Sequence, residues 1–60
     1  MREIDDQTAV AEYLGVPPRT LEDWRHKRTG PPFVKVGQRV RYRKADVDQW
    51  MERQTVKPQR

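Results

Sequence analysis

Few side chains in this sequence could transfer a proton, hold a metal or attack a substrate. There is one histidine, His26, and no cysteine, and the clearest carboxylate groupings are the pairs Asp5-Asp6 and Asp46-Asp48. Catalysis needs a base, a nucleophile and oxyanion donors converging in a pocket, and 60 residues leave no cleft between domains to supply one. Each acidic pair falls in or just before the first turn of a predicted helix, where the helix dipole favours carboxylates without any metal. The reading is therefore a chain without catalysis, metal or cofactor. What remains is recognition chemistry, carried by Arg19, Asp23 and His26 and by a dense run of cations that follows them.

Those three residues are expected on one face of a helix. With Leu21 and Trp24 pointing inward and about 100° per residue, Arg19, Asp23 and His26 project from the opposite side, flanked by Glu22 and Lys27. A guanidinium near a helix N-terminus can bond guanine O6 and N7 together, and a carboxylate can accept from a cytosine amino group. Arg19 and Asp23 are thus the candidates for base edges, with His26 and Lys27 reaching phosphates. Thr20 is expected to contact a phosphate or to cap the early turn. Glu22 is expected to serve only in ion pairs with Arg19, Arg25 or His26, and Asp23 either to read a base or to join those same pairs.

The charge distribution points to the same partner. Net charge is +4, yet residues 19–44 hold nine basic side chains against Glu22 and Asp23, a net of +7, and the remainder nets −3. A basic block of this kind suits a polyanion such as double-stranded DNA. Absence of cysteine fits a reducing compartment and predicts a cytoplasmic location. No stretch reaches the roughly 18 apolar residues of a membrane span, so no membrane or small-molecule partner is expected.

The elements that must position these residues follow from periodicity and stop signals. Asp5 and Asp6 offer carboxylates to a helix start, and Val10, Tyr13 and Leu14 repeat at helical spacing to Gly15, predicting a first helix over about 6–14. Pro18 suits a first helical position, and Thr29-Gly30-Pro31-Pro32 is a stop signal, so a second helix spans about 18–28. From Phe33 to Tyr42 the period becomes two, with Gly37-Gln38 as a tight turn. That is a two-stranded hairpin. Its non-core side is expected to present Lys35, Gln38, Arg39, Arg41 and Arg43, with Arg39 at the tip able to enter a minor groove. Val47, Trp50 and Met51 then predict a third helix over about 44–53.

The expected core is Val10, Leu14, Val16, Leu21, Trp24, Val40, Tyr42, Val47, Trp50 and Met51, with Ile4 and Phe33 at its rim. The fold class is small α+β, a winged helix-turn-helix made of helix, turn, recognition helix, two-stranded β-hairpin wing and C-terminal helix. Residues 1–53 form one DNA-binding domain and 54–60 a flexible tail.

Several segments carry a family resemblance: Ala11-Glu12-Tyr13-Leu14-Gly15-Val16, Arg19-Thr20-Leu21 with Trp24-Arg25, Pro32-Phe33-Val34-Lys35-Val36-Gly37, and Arg41-Tyr42-Arg43-Lys44 leading to Asp46-Val47 and Trp50. Over residues 4–52 this order resembles the excisionase branch of the MerR-like winged helix-turn-helix proteins. The resemblance implies a second helix in the major groove, read by Arg19, Asp23 and His26, and a wing in the adjacent minor groove, probed by Gln38 or Arg39. It implies cooperative binding at neighbouring sites, DNA bending and the turning of a phage integrase toward excision, on the nucleoid of a bacterial host. A small prophage transcriptional regulator and a protein-interaction module with an acidic partner stay open beside it.

Overall fold

The computed structural model describes residues 1–58, in the order β1 (Ile4–Asp5), α1 (Gln7–Leu14), α2 (Pro18–His26), β2 (Val34–Val36), β3 (Arg39–Arg43) and α3 (Lys44–Gln54). It is a small α+β winged helix-turn-helix. The sheet has three antiparallel strands in the order β1-β3-β2, one more than the expected hairpin. The added strand is two residues long: Ile4 pairs with Arg43 and Asp5 with Tyr42. The N-terminus is thereby tied to the wing, and the backbone N–H of Lys44 donates to the Glu3 carbonyl at 2.8 Å where α3 begins.

Asp6 caps α1, its carboxylate accepting from the Ala9 N–H at 3.0 Å. The helix closes with Gly15 at φ 74°, and the Val16 N–H reaches back to the Ala11 carbonyl at 3.0 Å. This is the left-handed closing turn in which the N–H two residues past the cap returns to the last full turn. Pro17 gives α2 no side-chain cap, and Pro18 occupies the start, where a missing N–H leaves nothing unpaired.

The second helix ends at His26, two residues before the expected Arg28. Its closing turn repeats that of α1: Thr29 N–H donates to the Trp24 carbonyl at 2.8 Å and Arg28 N–H to that of Arg25 at 3.1 Å. Here the left-handed position belongs to Arg28, at φ 58°, and not to a glycine. Gly30 follows at φ 84°, so close to Trp24 that a Cβ built on it would lie 2.8 Å from the indole Cε3.

Val10, Ala11, Leu21, Tyr42 and Val47 form the buried core, with Met1, Leu14, Val16, Trp24 and Val40 packed against it. Ala11 and Met1 join residues expected from periodicity. Trp50 and Met51 are half-buried, and the Trp24 and Trp50 rings meet at 5.4 Å, tilted by 47°. Ile4, expected at the rim, is 56% exposed because its strand faces it away from the helices. The third helix continues through Gln54, one residue into the expected tail, and Thr55–Pro58 has no regular structure. Gln59 and Arg60, also assigned to that tail, lie outside the described residues.

Candidate nucleic-acid interface

The exposed face of α2 gathers Arg19, Thr20, Glu22, Asp23 and His26 along one shallow, open concavity. Arg19 and His26 are exposed and, among the described residues, have no carboxylate partner. The two acids take partners other than those expected. Asp23 pairs with Lys27 at 3.0 Å, one turn on, and Glu22 accepts from the Gln7 amide at 2.8 Å, across the gap to α1. An exposed pair of this kind contributes about 0.2–1 kcal/mol and is readily exchanged for a stronger partner. Thr20 is half-buried, and its N–H closes on the Pro17 carbonyl at 2.9 Å, so the early turn is held by backbone.

The wing requires a correction. Gly37-Gln38 is a two-residue turn, and the register sets Val36 opposite Arg39, Lys35 opposite Val40 and Val34 opposite Arg41. Directly opposed residues share a face of the sheet, so the parity of the pattern switches at the turn. Val34 and Val36 lie on the outer face with Arg39, Arg41 and Arg43. Lys35 lies on the helix-facing side with Val40 and the buried Tyr42, not with the other cations. Val36 is consequently 60% exposed.

The outer cations are not equivalent. Arg39, next to the turn, is exposed and unpaired among the described residues, and Gln38 is exposed in the turn itself. Arg41 is half-buried, its guanidinium folding back to donate to the Val40 carbonyl at 2.9 Å. Arg43, at the base of the wing, lies 3.5 Å from Asp46 in the first turn of α3. Arg39 and Gln38 are thus the wing groups most available to a groove, whereas Arg41 and Arg43 are partly engaged within the fold.

The remaining acids have structural partners. The Asp5 carboxylate is 6% exposed and accepts from the Arg2 N–H at 2.8 Å, the Arg2 guanidinium at 3.2 Å and the Asp6 N–H at 3.0 Å. These bonds, the Arg2 backbone first, hold its carboxyl well below the usual carboxylate range. Asp48 takes Lys44 at 2.7 Å and the Tyr13 hydroxyl at 2.6 Å, which lower its pKa, while the same carboxylate raises that of Lys44.

Two arginines outside the expected set sit where α2 meets the wing. Arg25 donates to the Tyr42 hydroxyl at 2.8 Å, and its guanidinium carbon lies over the Phe33 ring, 5.7 Å from the centroid. Arg28 occupies the left-handed turn beside it. The sequence signal for Arg25 is its place four residues after Leu21, at the margin of the buried face. Arg28 carries no such signal, because a glycine would have marked the helix end and an arginine does not.

Residues 7–55 match the helix-turn-helix domain family, and the chain belongs to it. Its partner is DNA, and the arrangement of a cation-bearing second helix beside a basic wing is that of a sequence-specific binder. No curated protein matches the chain. Among the described residues, no helix is long and apolar enough to cross a membrane.

Proposed function

We propose that this helix-turn-helix domain is an excisionase, an architectural protein that binds repeated sites near a phage or prophage attachment site and bends the DNA so that an integrase works toward excision. The excisionase part of the reading rests on the resemblance over residues 4–52; the observation that supports its DNA contact is the placement of Arg19 and His26 without carboxylate partners on the outer face of α2, together with Arg39 exposed beside the wing turn. Recognition helix and wing tip then engage adjacent major and minor grooves. Arg19 reads guanine, Asp23 accepts from cytosine after releasing Lys27, and His26 and Lys27 contact phosphates. Gln38 and Arg39 enter the minor groove, where a narrow, negative groove favours a guanidinium. Thr20, Arg41 and Arg43 support the backbone contacts, and Lys35, exposed on the other face of the wing, reaches the backbone from that side.

Neither α2 nor the wing carries chemistry of its own, so the protein acts by shaping DNA. The DNA-binding domain ends with α3 at Gln54, and Thr55–Pro58, which has no regular structure, is the segment open to a protein partner such as an integrase. Copies assemble cooperatively on neighbouring sites, in the cytoplasm of a bacterial host.

The test is a gel-shift titration comparing duplexes from the flanking attachment site, from the nearest promoter, and of random sequence. A ladder of discrete complexes on attachment-site DNA, with a bend seen by circular permutation of the site, is the expected result. A single complex on the promoter alone identifies a transcriptional regulator. No binding to any duplex at low salt identifies a protein-interaction module.

A further inference from the structure

We propose that the junction between α2 and the wing is a backbone-phosphate site, built by Arg25 and Arg28 and separate from the base-reading face of α2. The proposal rests on the DNA-binding reading. Arg25, Arg28, Thr29, Gly30, Pro32 and Phe33 line one concavity, whose remaining wall is the buried Pro31.

Three observations point to an anion there. First, the Arg25 guanidinium is held in place: the buried Tyr42 hydroxyl takes one N–H at 2.8 Å and the guanidinium carbon lies over the Phe33 ring, 5.7 Å from its centroid. A guanidinium has five donors, so a fork directed by two fixed contacts keeps donors for a phosphate. Second, among the described residues neither Arg25 nor Arg28 pairs with a carboxylate. The ion pairs there use Arg2, Lys27, Arg43 and Lys44. Third, Arg28 stands at φ 58°, a conformation that glycine adopts without strain and that closes α1 through Gly15. A strained cation in a closing turn, where glycine would be more stable, is the arrangement expected when the side chain serves a ligand.

The ligand is a phosphodiester of the DNA backbone at the passage from the major groove under α2 to the minor groove under the wing. Two guanidinium-bearing side chains lining one concavity suit its two free oxygens. By fixing that phosphate, the site sets the register of both reading surfaces without itself reading sequence.

The experiment compares wild type with Arg28→Gly and Arg28→Ala on the bound duplex and on random duplex, over a range of salt, with thermal unfolding measured in parallel. Arg28→Gly is expected to raise Tm by about 4–8 °C through relief of the left-handed strain. It is also expected to bind all duplexes about 8-fold more weakly at 0.1 M salt, with the slope of log K against log[salt] shallower by about 0.9, the signature of one lost phosphate contact. A more stable protein that binds worse separates a role of Arg28 toward DNA from a role in holding the turn, and the position of the contact then distinguishes a direct phosphate bond from the general field of the basic block. Duplexes carrying single neutral methylphosphonates locate the contact: one position weakens wild type and is without effect on Arg28→Ala. Unchanged affinity and slope in Arg28→Gly, with wild type binding DNA, overturn the phosphate site and leave the DNA reading intact. Failure of wild type to bind any duplex overturns both. Shifts of the Thr29 and Gly30 amide resonances with millimolar inorganic phosphate but not with duplex would make this a site for free anions and overturn the assignment to DNA.

Discussion

Gly30→Ala tests how the recognition helix and wing are held together. Two effects act at this position. The backbone sits at φ 84°, where an L side chain costs about 1–2 kcal/mol. The added Cβ would lie 2.8 Å from Trp24 Cε3 and 3.0 Å from Trp24 Cβ, and an atom forced into a packed site costs about 1–3 kcal/mol. The Trp24 ring cannot simply swing aside, because it packs on Trp50. Together these give a loss of about 2–5 kcal/mol. The whole domain, at roughly 0.05–0.15 kcal/mol per residue, has only about 3–9 kcal/mol to lose. Gly15→Ala is the control, since φ is 74° but nothing lies within 4 Å of its Cβ, so only the backbone effect of about 1–2 kcal/mol applies. Urea unfolding of both variants followed by circular dichroism gives the two values directly. Equal losses for Gly30→Ala and Gly15→Ala would refute the close approach to Trp24 as the reason for glycine at position 30.

Other perturbations probe separate parts of the fold. Because the Asp5 carboxyl is depressed in the folded state, its stabilising effect is fully present above the unfolded value of about 3.9 and is lost as pH falls below that. Thermal unfolding from pH 7 to pH 2 should show Tm falling below about pH 4 in wild type. Asp5→Asn should be less stable at pH 7 and show a shallower acid decline, the remainder coming from Asp48; an identical decline in both would exclude Asp5 as its source. Tyr42→Phe removes the acceptor of the Arg25 bond while keeping the buried ring, and should lose about 1 kcal/mol of stability together with affinity for all duplexes alike. Stability loss with unchanged binding would separate that bond from DNA contact. Arg39→Ala should weaken binding to every duplex and reduce the salt slope by about one, whereas Arg41→Ala, whose guanidinium is folded onto the Val40 carbonyl, should have a smaller effect in the same titration.

Much of this architecture is legible in the residues. The Leu21 and Trp24 spacing gives the inner face of α2 and therefore its outer face, and Asp6, Gly15 and Pro18 mark the helix boundaries that the structure shows. The parts not legible depend on pairing. Ile4-Asp5 is too short to show any alternation and becomes a strand only because Arg43 and Tyr42 present free backbone groups to it. In the wing, the even-numbered run Val34, Val36, Val40 and Tyr42 suggests a single apolar face. A two-residue turn, however, pairs position 36 with 39, so even positions of β2 share a face with odd positions of β3. That consequence was available from the turn length alone, and it moves Lys35 to the inner side. The closing turn of α2 was hidden for a different reason: Arg28 occupies the place where a glycine would have announced the helix end.

The claim that α2 reads base edges through Arg19 is tested most directly by measuring the affinity of wild type and Arg19→Ala for a duplex selected by the wild-type protein and for random duplex of equal length, at one salt concentration. The expected result is a loss of about 1–3 kcal/mol on the selected duplex, little change on random DNA, and relaxed preference at one base pair. Equal losses on both duplexes would contradict it and reduce Arg19 to a phosphate contact.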